Sequence, residues 1–365
     1  MNSMKHNLHI KFNKVIILSI LSVLFLSVQN VNAALSTGRD PVAMAISPSS
    51  KYVYVISKGR QLLWIYQIGG VDSRRPGGLK ELSRVPVGKD PSSMTIAPDG
   101  KMIYVTNKAS NTLDVFNVNS LGRVTLKTSV STGRKPSDIA IDPMGKNLYI
   151  TNFDDHTISI YQLNASGIPV LKKSVATENG PSKISISPED RFLYVINKNS
   201  ETISMYKVKK SGNLISLGSV KSGKYPSASL VSMDRKTFYI TSASDNELRI
   251  FNIQTDGKLK FSRMIKTGVD PEGIAQTPNG EYLYVTNLIS DDVFMYKITQ
   301  NGNLEFLNPE SIVAGEGAQT ILVTPNGQFV YTLNVIGNSI SEFKVGSTGH
   351  LESVPSSVKL KTKNL

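Results

Sequence analysis

The chain has 365 residues, no cysteine, one tryptophan and a formal charge of +13. Without cysteine there is no disulfide framework and no thiolate metal site, so the fold must hold by burial alone, which this length allows. Lysine and arginine are scattered rather than clustered, so the charge favours anionic ligands or surfaces without selecting one.

The first element is a leader. Lys5, Lys11 and Lys14 precede an apolar run, Val15 to Val28, and Val31-Asn32-Ala33 ends it. That order describes a signal peptide over 1–33, cleaved after Ala33. The apolar run falls short of the roughly 20 residues a membrane span needs, and a retained N-terminal anchor is the alternative. A lipid-anchored cysteine is excluded. The mature chain, 34–365, is expected to be exported, periplasmic or extracellular, with no membrane span; it keeps +10 of the charge after losing three leader lysines.

From Ala34 onward the sequence repeats. Corners of the Gly-x-x-Pro kind place Pro41, Pro91, Pro136, Pro181, Pro226 and Pro271 in register, with Ala318 in the seventh place. The spacings are 50, 45, 45, 45, 45 and 47 residues. Tyrosine recurs in phase at Tyr54, Tyr104, Tyr149, Tyr194, Tyr239, Tyr284 and Tyr331. Self-similarity at this period marks a repeat architecture.

Each unit reads as four short strands. The first follows the corner, as in "SDIAIDP" (137–143), and a turn such as "PDGK" or "PNGE" closes a hairpin because Asp-Gly and Asn-Gly accept positive φ. The second is the "YVTN" piece (104–107), and the third is "TISIYQL" (157–163). The fourth, as in "GNLISLGSV" (212–220), returns to the next corner. Strands two and three are apolar on both faces, unlike a sheet with one wet face. Sheets of about 45 residues buried on both faces and stacked side by side describe a β-propeller. The expected fold is therefore all-β: a single seven-bladed β-propeller of four-stranded antiparallel blades, with blades starting near 38, 88, 133, 178, 223, 268 and 315. "ALSTG" (34–38) supplies a remnant of a fourth strand. "GHLESVPSSVKLKT" (349–362) is expected to supply a full fourth strand for blade seven, and closure brings the two segments side by side.

The run "PSDIAIDPMGKNLYITN", followed by "TISIY" and "G-x-L", resembles the YVTN-type repeat of lactonase-like seven-bladed propellers, a group that includes 6-phosphogluconolactonases of the propeller type. The resemblance covers essentially residues 34–360. It implies a propeller whose ligands sit at one mouth of the central channel, with lactone-hydrolysing enzymes and exported binding propellers among its members. The leader departs from what a cytoplasmic sugar-phosphate lactonase requires.

Strand order puts the corners and the turns between strands two and three on one face. Corner bases there (Arg39, Lys89, Arg134 and Lys224) and residues just past the proline (Asp138, Lys183, Glu272 and Gln319) are candidate ligand contacts, because a ring of bases focuses field on a small anion. The alternative is that the bases are solvated turn residues. Lactone hydrolysis needs a base to activate water and a cation to hold the oxyanion. His156 and Glu272 are the candidate bases, with an ordinary turn histidine the alternative for His156. No cofactor motif and no metal loop is present, and stacking aromatics of a nucleic-acid groove are lacking. Trp64 is expected to fill the space between blades, with an exposed partner anchor the alternative. The loop 69–78, with Arg74 and Arg75, projects from the opposite face. The leading expectation is a monomeric binding module that takes a small anionic or lactone ligand, or a protein partner, at the mouth; a lactone hydrolase is the alternative.

Overall fold

The computed structural model describes residues 35–70, 75–299 and 302–355. The leader, Ala34, Arg74 and the tail from 356 onward lie outside the described residues.

Seven antiparallel sheets follow one another along the chain. In blade three the strands run Pro136–Ile141, Asn147–Asn152, Thr157–Leu163 and Pro169–Ala176, paired in that order from the inside out. Blades one to six span 41–86, 91–131, 136–176, 181–221, 226–266 and 271–313. Each innermost strand touches its counterparts in the flanking blades, and Pro41–Ile46 of blade one meets Ala318–Val323 of blade seven, so the ring is closed. Among the described residues there is no α-helix, only a 3-10 turn at Ala243–Asp245.

Burial explains why the middle strands lack alternation. Every residue of Met102–Asn107 is buried, and so is every residue of Asn147–Asn152. Ile103 and Val105 of blade two pack with Tyr54, Ile56 and Ile65 of blade one, while Tyr104 and Val115 on the other face pack with Ile150 of blade three. Each such aliphatic side chain contributes roughly 2 kcal/mol by leaving water. The outermost strands are largely exposed, as in Val124–Ser131.

The repeated tyrosines add a directional latch. Tyr104 Oη donates to the Gly167 carbonyl at 2.9 Å, Tyr149 to Gly212 at 3.0 Å, Tyr194 to Gly257 at 2.9 Å and Tyr284 to Gly349 at 2.7 Å. In each case the acceptor is a turn of the next blade. Tyr331 makes the same bond across the closure, donating to Gly77 of blade one at 2.7 Å, whereas the buried Tyr54 hydroxyl of blade one makes no such bond. Burial pushes the phenols up from their ordinary value, so they remain donors.

Blade seven differs from expectation. Of the fourth strand expected over 349–362, the described residues end at Pro355, and among them only Leu351–Ser353 pairs, beside Phe343–Val345. Leu35 and Ser36 pair with Ile340 and Ser339 on the same strand, so the two ends share its outer edge. The reason lies in the sequence beyond Ser353, where Val354 still donates its N–H to the Glu342 carbonyl but Pro355 has none to donate. Arg75 pairs with the buried Glu342 carboxylate and donates to the Pro355 carbonyl, tying the loop of blade one to the closing blade. Trp64 is buried as expected, in a core shared with Phe329, Tyr331 and Leu333 of blade seven.

Candidate functional site

Every innermost strand carries a β-bulge immediately after its first residue, at Pro41, Pro91, Pro136, Pro181, Pro226, Pro271 or Ala318. A bulge leaves one residue out of the ladder and re-aims its side chain. The residues so placed are Val42, Ser92, Ser137, Ser182, Ser227, Glu272 and Gln319, and all seven line a single cavity of about 550 Å³ at the channel mouth. The serines knit the ring: Ser92 Oγ donates to the Pro136 carbonyl at 2.7 Å, Ser137 Oγ to Pro181 at 2.6 Å and Ser227 Oγ to Pro271 at 2.6 Å. Glu272 has no hydroxyl to offer at that place. Blade six instead uses Thr286 Oγ1, which donates to the Gln319 carbonyl at 2.8 Å. Gly273 makes room for this, since a Cβ there would lie 2.3 Å from the Gln319 oxygen.

A second ring comes from the residue after the strand-two Asn or Ser. Lys58, Lys108, Phe153 and Lys198 of blades one to four take this place and face the cavity, joined by Lys183. Lys58 is paired with Asp90 at 2.9 Å. Lys108, Lys183 and Lys198 form no ion pair among the described residues. The lining thus holds four lysines against two carboxylates, Asp90 and Glu272. Burial lowers Lys108 below its ordinary value, aided by Lys183 and Lys58 and opposed by Asp90 and Asp138. Burial raises Glu272, with Asp270 adding to the effect while Lys198 and Lys183 oppose it. A raised carboxyl beside unpaired ammonium groups is the pattern of a site prepared for chemistry or for a ligand.

Tyr225 also lines the cavity, and its backbone is unusual. The residue before the corner proline has positive φ in every blade; Asp40, Asp90, Lys135 and Asp270 adopt it, and Gly180 and Gly317 take it at no steric cost. Tyr225 holds φ 50° and is 58% exposed. An aromatic residue in that region is strained, and such strain collects at functional sites.

Of the residues singled out in the sequence, Glu272, Lys183 and Gln319 converge in the cavity. Asp138 lies beneath it, with Oδ1 accepting from Ser93 Oγ at 2.6 Å and Oδ2 from the Ile184 N–H at 2.9 Å, so it bridges three blades. Arg39, Lys89, Arg134 and Lys224 are exposed and outside the lining, because the positive-φ residue that follows each turns the chain before it reaches the mouth. Arg134 is paired with Asp155, Nε to Oδ1 at 2.5 Å. His156 is exposed, has φ 53° and accepts from the Gly180 N–H through Nδ1 at 3.2 Å. Asn111 and Asn246 accept the equivalent bond from Lys135 and Asp270. His156 is therefore placed as an inter-blade turn residue, away from the cavity. Lys58, Lys108, Lys198 and Tyr225 were missed; their signal was register, one place past the strand-two Asn or Ser and one before the corner proline.

A groove of about 930 Å³ on the opposite face, lined by Pro278, Tyr282, Pro325 and Phe329 among others, is larger but gathers no such set of charges. Among the described residues no three His, Asp or Glu side chains stand together to hold a metal ion.

The sequence model of the family described as "Lactonase, 7-bladed beta-propeller" matches residues 24–129, 77–169, 123–230 and 218–317. The chain belongs to this lactonase family. No curated protein matches the lactonase-family chain in sequence. In fold it is similar to a candidate 6-phosphogluconolactonase from Bacteroides fragilis, at 19% identity and TM-score 0.72, covering 89% of this chain and 96% of that one. The periplasmic gluconolactonase of Pseudomonas aeruginosa is similar at 19% identity and TM-score 0.66, over 76% and 86% of the two chains. The hydrazine synthase of Kuenenia stuttgartiensis is similar at 18% identity and TM-score 0.68, over 88% and 99%. At these identities the likeness is one of fold, and the fold carries more than one function.

Proposed function

We propose that this lactonase-family propeller binds a small organic anion of the hydroxy-acid or lactone class at the seven-blade mouth. The observation that carries the reading is the convergence of Lys108, Lys183 and Lys198, unpaired among the described residues, on a cavity that also holds Glu272. Ammonium groups of this kind recognise carboxylates as point charges, and charge-assisted bonds are the strong ones. Titration calorimetry with gluconate tests it. Lys108→Gln and Lys198→Gln should each weaken gluconate by about tenfold, whereas Arg134→Gln and Lys224→Gln should not. Equal affinity across all five proteins overturns the proposal.

A second reading, hydrolysis of a bound lactone, is favoured by Glu272 being the one carboxylate in the bulge ring. Its carboxylate would take a proton from water as the water oxygen bonds to the lactone carbonyl carbon, and a lysine ammonium would hold the oxyanion. The ring C–O bond then breaks, the proton passes to the departing alkoxide, and a hydroxy acid leaves. Acid release from a panel of sugar and aromatic-acid lactones measures this; turnover that survives Glu272→Gln rejects it. We place the protein outside the cytoplasm on the strength of the leader. N-terminal sequencing of the secreted or periplasmic form, expected to begin at Ala34, checks that.

A further inference from the structure

The mouth is chemically lopsided. In the turns between strands two and three, the first residue is Lys58, Lys108 and Lys198 in blades one, two and four, Phe153 and Ala243 in blades three and five, and Leu288 and Val335 in blades six and seven. The next residue is Gly59, Ala109, Asp154, Asn199 and Ser244 in blades one to five, but Ile289 and Ile336 in blades six and seven. Both isoleucines are open to solvent, at 63% and 56% exposure. Val269 occupies the corner place taken by a base in blades one, two, three and five. It is 44% exposed and touches the isoleucine turn, the Ile289 N–H donating to its carbonyl at 3.2 Å. The turn of blade six is held to the corner of blade seven by the Gly317 N–H, which donates to Asp291 Oδ1 at 2.7 Å, and Ile336 packs over that same Gly317. These residues form one apolar arc, and the cavity residues of the same two blades are Glu272, Gln319 and Thr320.

Solvated turns are normally polar, and apolar residues gathered on a cavity rim mark a binding surface. Resting on the anion-binding reading above, we infer that the ligand is amphiphilic: an anionic or lactone head held by the lysines, with an unbranched apolar tail lying across Val269, Ile289 and Ile336. The cavity lysines stand in blades one, two and four and the exposed isoleucines in the turns of blades six and seven, outside the lining on the same face, which suits a single molecule with two unlike ends. A uniformly polar sugar acid would leave the arc of blades six and seven in water.

The test is calorimetry on the mature protein with gluconate, butyrate and octanoate, each below its micellar concentration. Octanoate should bind about tenfold more tightly than butyrate, since each buried methylene favours binding and the arc covers only one side of the tail. In the double variant I289N/I336N the octanoate-to-butyrate ratio should fall to about one. Gluconate has no apolar tail and reports on the head site alone. Gluconate bound with octanoate no tighter than butyrate overturns the tail inference and leaves the anion site standing; none of the three bound overturns both. Sedimentation covers the remaining occupant of the arc: a dimer that dissociates in I289N/I336N, with a chain-length ratio near one in the parent, assigns the arc to a second copy and overturns the inference.

Discussion

The ammonium of Lys198 lies 5.0 Å from the centroid of the Tyr225 ring, over a residue whose backbone holds φ 50°. A cation over an aromatic face is attracted to it, and the strained corner fixes the ring where that contact is made. Tyr225→Asn replaces the ring with a residue that tolerates this φ. It should raise unfolding stability by about 1 kcal/mol and weaken gluconate by about threefold. Urea unfolding and calorimetry on the same sample read both; a variant that loses stability contradicts the strain argument.

Glu272 carries a pH signature. Its folded carboxyl is raised by burial, so the folded state holds the proton more tightly than the unfolded chain. Stability therefore falls as pH rises from the ordinary carboxylate value through the raised one. Above that window the ionised group is a net cost to folding. Glu272→Gln should match the parent near pH 4 and exceed it at pH 8 in thermal unfolding. A gap that is constant with pH contradicts this.

Lys108 works in the opposite direction. Burial lowers its folded pKa, so the unfolded chain binds the extra proton and stability rises with pH between the lowered value and 10.5. Below that window the full cost is present. Lys108→Met should stabilise by about 1 kcal/mol at pH 7, with the gain shrinking towards pH 10. Denaturant midpoints at the two pH values measure it.

His156 should be replaceable by the residue that other blades use. His156→Asn keeps the acceptor for the Gly180 N–H and a side chain suited to φ 53°, so stability and gluconate affinity should stay within about 0.5 kcal/mol of the parent. His156→Ala removes the acceptor and should cost about 1 kcal/mol. Loss of activity or affinity in the Asn variant would assign His156 a chemical role after all.

Glu342 anchors the closing blade. Its carboxylate takes Arg75 and, through Oε1, the Leu79 N–H at 2.9 Å. Glu342→Ala removes the carboxylate that faces the Arg75 guanidinium and leaves the buried Leu79 N–H without its acceptor, and should cost about 3 kcal/mol. Differential calorimetry on the variant reads this as a lowered Tm; an unchanged Tm shows that closure rests on the tyrosine latch and the shared core alone.

The architecture was legible because its causes are local and repeated. Turn glycines, corner prolines and two-sided apolar strands recur in phase, and each acts within a few residues of itself. The strand-two Asn was legible as a turn residue for the same reason: Asn152 Nδ2 bonds Thr157 Oγ1 at 3.0 Å and Ser159 Oγ at 2.8 Å. The site was legible only in part. Glu272 and Lys183 follow the corner and were found there. Arg134 and Lys224 shared that neighbourhood in sequence but not its direction, because a positive-φ residue between them and the proline turns the chain. Lys108 and Lys198 come from the far end of a different strand, and only closure of the ring brings them opposite Glu272. The short pairing at Leu351–Ser353 was not legible in blade seven, because strand pairing at a terminus depends on where the other terminus lies.

The bulge after each corner has a consequence for how such a protein can change. Its side chain takes no part in the ladder, so substitution there leaves the ladder in place; in blades two, three and five it removes one hydroxyl bond to the neighbour and one to the strand-two threonine of the same blade. Serine in four blades, and valine, glutamate and glutamine in the others, show how freely that place varies on one backbone. A mouth assembled this way can be revised one blade at a time, so a new ligand preference can arise by single substitutions while the other six blades keep the ring intact.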